Sequence, residues 1–304
     1  MSDDAGAPVT RRRSTAWTRF RADRAAVVGA SVVVLLVLVA LTAPWIAPYP
    51  AFAGSDLTLA SPSGSHLLGT DHLGRDVLSQ LIWGSRASIL FGVMVGVVAL
   101  VLGTVLGAVA GYFGGLVDSL VSRLLEIVSV YPSLLLLVVF SALFGPDLVT
   151  LALVAGAVSW PAVARVVRAQ VQATRNEPFV TASRAAGVGE WGTLFRHVIP
   201  NCMAPVIAQA TLLVGFAVIL EAGLGFLGLG DPDVTSWGQV MRDGQNYLSS
   251  APWIATSAGA AIFLLVVALN MCGDGINAAI GGRGDVRRRP RRRKTVDVIT
   301  GEVR

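Results

Sequence analysis

Uncharged apolar runs, each long enough to cross a bilayer, alternate with short polar stretches along most of the chain. About 20 apolar residues suffice for one helical crossing. The runs lack the apolar–polar alternation of barrel strands, so they predict helices. Six spans are expected: Ala25 to Ala47, Ala87 to Tyr112, Asp118 to Phe144, Leu148 to Ala164, Met203 to Ala222 and Pro252 to Cys272. Pro132 should kink the third. In the second, Gly92, Gly96, Gly103, Gly107 and Gly111 fall on one helical stripe. Small residues let helix backbones approach closely in lipid, so this stripe reads as a packing face.

Length alone would suggest about two soluble domains. Composition overrules that: 54% of the residues are hydrophobic and 14% charged, with a mean hydropathy of +0.66. The fold class is therefore all-α, a polytopic membrane protein. The net charge of +5 is concentrated. Arg11, Arg12, Arg13, Arg19, Arg21 and Arg24 precede the first span, and Arg287 to Lys294 follow the last. Such clusters suit a cytosolic end beside anionic lipid rather than nucleic acid. Arg165, Arg168, Arg175, Arg184 and Arg196 mark a central cytosolic loop, leaving Arg75, Arg86 and Arg242 outside. Both termini are then expected in the cytosol. The double-arginine start mimics an export signal, but the apolar run behind it is too long and more spans follow, so cleavage is not expected. Cys202 and Cys272 lie near span ends, and no disulfide or zinc site is expected.

The expected organisation is a basic N-terminus (1–24), a first span (25–48), an extracytoplasmic segment (49–86), a core of five spans (87–280) and a basic tail (281–304). Within the segment, Asp76 can cap a helix beginning at Val77, and Arg75, Arg86, Asp71 and Asp76 can pair near the membrane surface. Tyr112 to Val117 reads as a glycine turn. Arg123 and Glu126 can meet on one helix face, and with Asp118 they read first as structural charges near an interface.

The longest polar interruption in the second half is the loop 176–201, NEPFVTASRAAGVGEWGTLFRHVIPN. It reads as a short helix of mostly small residues, stopped by Gly187 and Gly189. Trp191, Leu194, Phe195 and Val198 then recur at helical spacing, and Pro200 is expected to end the run. A smooth turn between two spans is what a partner's groove needs. Further on, Gly223, Gly225 and Gly228 form a G-x-G-x-x-G, but a membrane helix precedes it and Asp231-Pro232 follows. A dinucleotide loop needs a strand before and a helix after. A broken or re-entrant backbone lining a cavity is expected instead.

No glycine precedes Lys294 as a phosphate-cradling loop requires, and His66, His72 and His197 are scattered. A catalytic or metal site is not expected. A self-sufficient secondary transporter would need buried acid or histidine relays and inverted repeats; neither is clear, and Glu221 is the one late candidate acid.

Thr181-Ala182-Ser183, Gly187 and His197-Val198-Ile199-Pro200 fall at the spacings of the EAA loop and resemble that of ABC-importer permeases. Thr181 stands where the pattern has an acid, and His197 where it has an apolar residue. Separately, Gly69-Thr70-Asp71, Gly74-Arg75-Asp76, Ser79, Gly84 and Arg86-x-Ser88 resemble the C-type permease subunit of dipeptide and oligopeptide importers, as does Trp237-Gly238-Gln239-x-Met241. The resemblance covers about His66 to Ala279. It implies an ABC type I importer permease fold in a bacterial inner membrane. The implied partners are a homologous B-type permease, two cytosolic ATPase domains carrying ATP and Mg, and an extracytoplasmic binding protein. Phe179, Thr181, Ala182, Ser183, Arg184, Gly187 and Pro200 would couple to the ATPase, with Arg184 pairing an acid of that partner. Glu221, Gly225, Gly228 and Trp237 are candidates to face or gate the pathway. No cofactor is expected in this chain. Within that class, nickel or another small solute is the alternative cargo to peptide.

Overall fold

A computed structural model describes residues 16–281; the basic clusters Arg11–Arg13 and Arg287–Lys294 lie outside them. Among the described residues the structure is helical and has no strand. A short α1 (Ala16–Ala22) precedes α2 (Arg24–Ile46), and Asp23 between them accepts the amides of Ala25 and Ala26. Then follow α3 (Val77–Phe113), α4 (Gly115–Val130), α5 (Ser133–Phe144) and α6 (Leu148–Thr174). The short α7 (Pro178–Ala185) and α8 (Glu190–Thr193) lead through a π turn (Leu194–Val198) into α9 (Ile199–Phe226). Finally α10 (Trp237–Gln245) lies across the bundle end, and α11 (Trp253–Gly281) closes it. Five helical runs are long and apolar enough to cross a membrane, and six if the bent pair α4–α5 counts as one span. The outward surface is apolar, with Leu143 72% and Phe263 70% exposed, as a lipid-facing girdle requires.

α3 is the axis of the bundle, and its glycine stripe serves two partners. A Cβ at Gly107 would sit 2.5 Å from the Ala164 carbonyl oxygen, and one at Gly111 would sit 2.7 Å from that of Arg168. These positions and Gly103 seat α6 backbone against backbone. Gly92 and Gly96 instead receive Val214 and Val218 of α9. The packing reading of the stripe holds.

Several expected boundaries do not. Helices outlast the apolar runs: α3 begins at Val77, and α6 continues to Thr174, so Arg165 and Arg168 belong to a helix and not to a loop. Loss of hydrophobicity ends a lipid contact, not a hydrogen-bond ladder. Pro132 does more than kink: α4 and α5 meet at 74°, because proline removes an N–H and the residue before it avoids the helical region. Pro200 does not end the run after Trp191. The π turn just before it, with the Ile199 amide on the Leu194 carbonyl, lets helix continue from Glu190 to Phe226. A π bulge absorbs the proline that an unbroken α-ladder would reject. Likewise α9 runs unbroken through Gly223 and Gly225, so no re-entrant backbone forms there; Gly228, at φ +81°, only turns the chain after the helix.

The segment 50–76 folds on itself at the end of the bundle where α3 starts. The Leu59 amide donates to the Asp71 carbonyl, and Thr70 and Ala60 bond twice. Asp71, wholly buried, accepts from the amides of Leu73 and Arg75, from Arg75 Nε at 2.7 Å and from Gln80. Arg75 reaches on to Asp243 of α10 at 2.8 Å. Asp76 caps α3 as expected and binds His66 at 2.9 Å. Arg86 takes no carboxylate; it lies over the Trp83 ring.

Gly107→Val should destabilise the bundle by about 1–3 kcal/mol or more, since the added atoms meet backbone. Gly215→Ala, whose Cβ would meet only ordinary contacts from 3.8 Å, should be neutral or stabilising by up to about 1 kcal/mol. Thermal unfolding in detergent compares the two; equal midpoints would mean that α3 and α6 do not depend on this approach.

Candidate functional site

The elbow between α6 and α9 is built around α7. Pro178 opens α7 at a position where its missing N–H costs nothing. Its end is a Schellman turn: Gly187, at φ +81°, donates to the Arg184 carbonyl at 3.0 Å and Val188 to that of Ser183 at 3.2 Å. Val180 is the root, fully buried beside Val171, Leu194 and Val198. Opposite it, Thr181, Ala182, Ala185, Ala186 and Gly187 are exposed, and Phe179 is 42% exposed. The sequence-predicted coupling residues therefore form one projecting patch, except Ser183, which turns in toward Thr193 at 3.3 Å. Pro200 stands apart in the rod behind.

Arg184 has its acid within the chain. It lies 3.3 Å from Glu190, donates to the Tyr112 hydroxyl at 3.3 Å and stacks its guanidinium over that ring. The Tyr112 hydroxyl, and after it the Glu190 charge, hold the Arg184 proton more firmly than usual. The Tyr112 hydroxyl in turn donates to Glu190. Thus the end of α3, the end of α7 and the start of α8 are tied at one point, and Arg184, though still exposed, has an acid within its own chain. A C-terminal arginine also suits the helix dipole of α7.

Of the four residues expected to face a pathway, three are packed inside. Glu221 is buried and accepts from Ser88 at 2.8 Å. Trp237 is buried, its indole donating to the Leu81 carbonyl at 2.9 Å and its amide to Ser88. Gly225 lets the α10 backbone approach: a Cβ there would lie 3.0 Å from the Gln239 amide nitrogen. Gly228 sits in the turn beside Arg242. They are brought together, but at a dense junction of α3, α9 and α10, because close backbone contact is what these glycines permit. Gly84 and Trp237, from two separated sequence motifs, touch there.

One open cavity lies elsewhere, at the α4–α5 break. It holds about 530 Å³ and is lined by α4, α5, α6 and α9, including Ser129, Tyr131, Ser159, Arg165, Gln209 and Phe216. None of these was singled out as a pathway residue from sequence; Pro132 was the signal available. Asp118, near the opposite end of α4 from Ser129, makes a two-pronged ion pair with Arg168, and Arg123 pairs with Glu126 on the surface at 2.9 Å. Both support the structural reading of those charges. Among the described residues no His, Cys, Asp and Glu gather as a metal site.

The family described as the inner membrane component of binding-protein-dependent transport systems matches residues 103–283. The chain belongs to that permease family. The N-terminal transmembrane domain of oligopeptide transport permease C matches residues 12–62. The dipeptide transport system permease protein DppC of Escherichia coli K12 is 47% identical over 87% of this chain and 91% of its own length. The di/tripeptide permease DppC of Pseudomonas aeruginosa is 42% identical over 87% and 90%. A glutathione transport system permease, GsiD of Escherichia coli O1:K1, is 34% identical over 87% and 88%. The chain is thus an ABC-importer permease, a multi-pass protein of the bacterial inner membrane.

Val180→Ala removes about 1.5 kcal/mol of burial and should raise hydrogen exchange of the α7 amides roughly tenfold. Glu190→Gln should change it less than about fivefold, since exposed ion pairs contribute under ~1 kcal/mol. Unchanged exchange in Val180→Ala would mean that α7 is held by something other than its buried root.

Proposed function

We propose that this permease imports di- and oligopeptides, pairing with a homologous B-type permease, two cytosolic ATPase domains and an extracytoplasmic binding protein. The chain itself is non-catalytic; ATP and Mg belong to the ATPases. The α7 end of the bundle faces the cytosol, which puts the arginine-rich stretches on the positive-inside side, and the segment 50–76 with α10 faces the binding protein. Binding of ATP closes the ATPase pair, α7 moves with the groove it occupies, and the cavity opens outward. Such coupling requires ATP to favour one conformation over the other.

The observation that carries this reading is the shape of α7. It is a small-residue helix standing out from the bundle, rooted by Val180 and ended by a glycine turn that no larger residue takes without strain. Peptide cargo is supported by the relatives named for dipeptide transport. The cavity agrees: its lining offers hydroxyls, an amide and one guanidinium, a setting that repels nickel or any other cation.

A space stands open beside Gly187, with no atom within 4 Å of an added Cβ. Gly187→Asp should therefore leave membrane abundance near normal but cut peptide uptake about tenfold or more while ATP hydrolysis continues. Gly187→Asn, which tolerates the left-handed backbone better, should keep most uptake. Uptake assays in cells beside ATPase assays on the purified complex decide it; normal uptake by Gly187→Asp would sink the docking assignment.

A further inference from the structure

The cavity at the α4–α5 break contains one charged side chain, Arg165. The arginines near it on the chain are neutralised or capped. Arg168 holds Asp118, Arg175 donates to the carbonyls of Gly111 and Tyr112, and Arg184 holds Glu190. Arg165 donates instead to a neutral hydroxyl, that of Ser129 on α4. No carboxylate among the described residues lies within ion-pair distance of it. Arg165 is exposed, so its charge faces the open cavity and not a dry interior, where an unpaired cation is held at a cost.

Around it stand Tyr131, Ser133, Ser159 and Gln209, which together offer both donors and acceptors. The volume of about 530 Å³ falls within the range of small-ligand sites, roughly 300–1,000 Å³. The chemistry that completes such a site is an anion carrying amide groups. A guanidinium binds a carboxylate with two parallel hydrogen bonds, which fixes orientation as well as charge.

We propose that Arg165 binds the C-terminal carboxylate of a short peptide in transit, with the neutral groups of Tyr131, Ser133, Ser159 and Gln209 serving its backbone. The assignment rests on the peptide-importer reading above. Peptides of differing sequence share their termini and their backbone, so a carrier of many peptides must grip those. The apolar wall supplied by α9 accepts whatever side chains come with them.

The test is uptake of a labelled dipeptide into proteoliposomes holding the complete importer, with its second permease, ATPases and binding protein. Arg165→Gln should lower the maximal uptake rate roughly tenfold to a hundredfold, the loss expected for a charge-assisted hydrogen bond. The peptide concentration at half-maximal uptake should stay near wild type, because the binding protein sets it. Arg165→Lys should recover much of the rate. Wild-type uptake by Arg165→Gln would overturn the assignment. So would an Arg165→Lys variant no faster than Arg165→Gln, since the positive charge would then not be what the peptide meets. A wild-type importer that moves no peptide at all would instead overturn the cargo reading, and this inference with it.

Discussion

The contact between the small face of α3 and the backbone of α6 is the constraint on which the rest of the structure depends. Inside a bilayer, apolar side chains gain nothing by leaving lipid for protein, so helices associate through close packing and polar bonds. Gly103, Gly107 and Gly111 give α6 that approach, and Gly92 and Gly96 give a looser seat to α9. Because α3 is occupied on both sides, the remaining helices have few places left. α10 lies over its start through Gly84 and Trp237, and α11 closes against α2, where a Cβ at Gly275 would strike Ala26. Polar bonds then lock the rim, with Asp71, Arg75 and Asp243 at one end and Tyr112, Arg184 and Glu190 at the other.

What could be read from the sequence was what lipid dictates locally. The glycine stripe, the Asp76 cap and the turn at Gly187 each follow from neighbouring residues and stand in the structure, and the six expected spans match if the bent α4–α5 pair counts as one. Helix length was less legible. Arg165 and Arg168 looked like the start of a loop because charge leaves the lipid, yet the α6 ladder needs no lipid and runs to Thr174. Pro200 looked like a stop because its remedy, a π turn at Leu194–Val198, has no residue signature.

The site divided along the same line. The α7 patch is contiguous in sequence, so its small residues announced it. The cavity draws scattered residues from four helices, and the 74° bend at Pro132 brings α4 and α5 to it. Arg184 seemed free to meet an outside acid because Glu190 lies beyond two glycines that reverse the chain. Gly223 and Gly225 suggested a broken backbone for a related reason. A glycine cluster signals close approach, but spacing alone does not say whether ligand or backbone comes close; at Gly225 it is the backbone of α10. The two motifs around Gly84 and Trp237 turn out to be halves of one junction.

This arrangement also says where the molecule can change shape. α3 and the long rod from Glu190 to Phe226 are tied at two separated points, through Tyr112 to Glu190 and through Ser88 to Glu221. Two helices bound twice along their length tend to move as one body. Sliding α6 past α3 is blocked, since the Gly107 contact leaves no room for it. Packed interfaces of this kind hold one arrangement or another and do not deform gradually. α4 and α5 are different. They are already parted at Tyr131-Pro132, and few of their residues are buried: Leu125 on α4, and Leu137 and Ser141 on α5. Their side-chain bonds are Asp118 to Arg168, Ser129 to Arg165 and Ser141 to the Leu229 carbonyl. A swing of α4 and α5 about Pro132 therefore costs least, and it would change the width of the cavity beside Arg165.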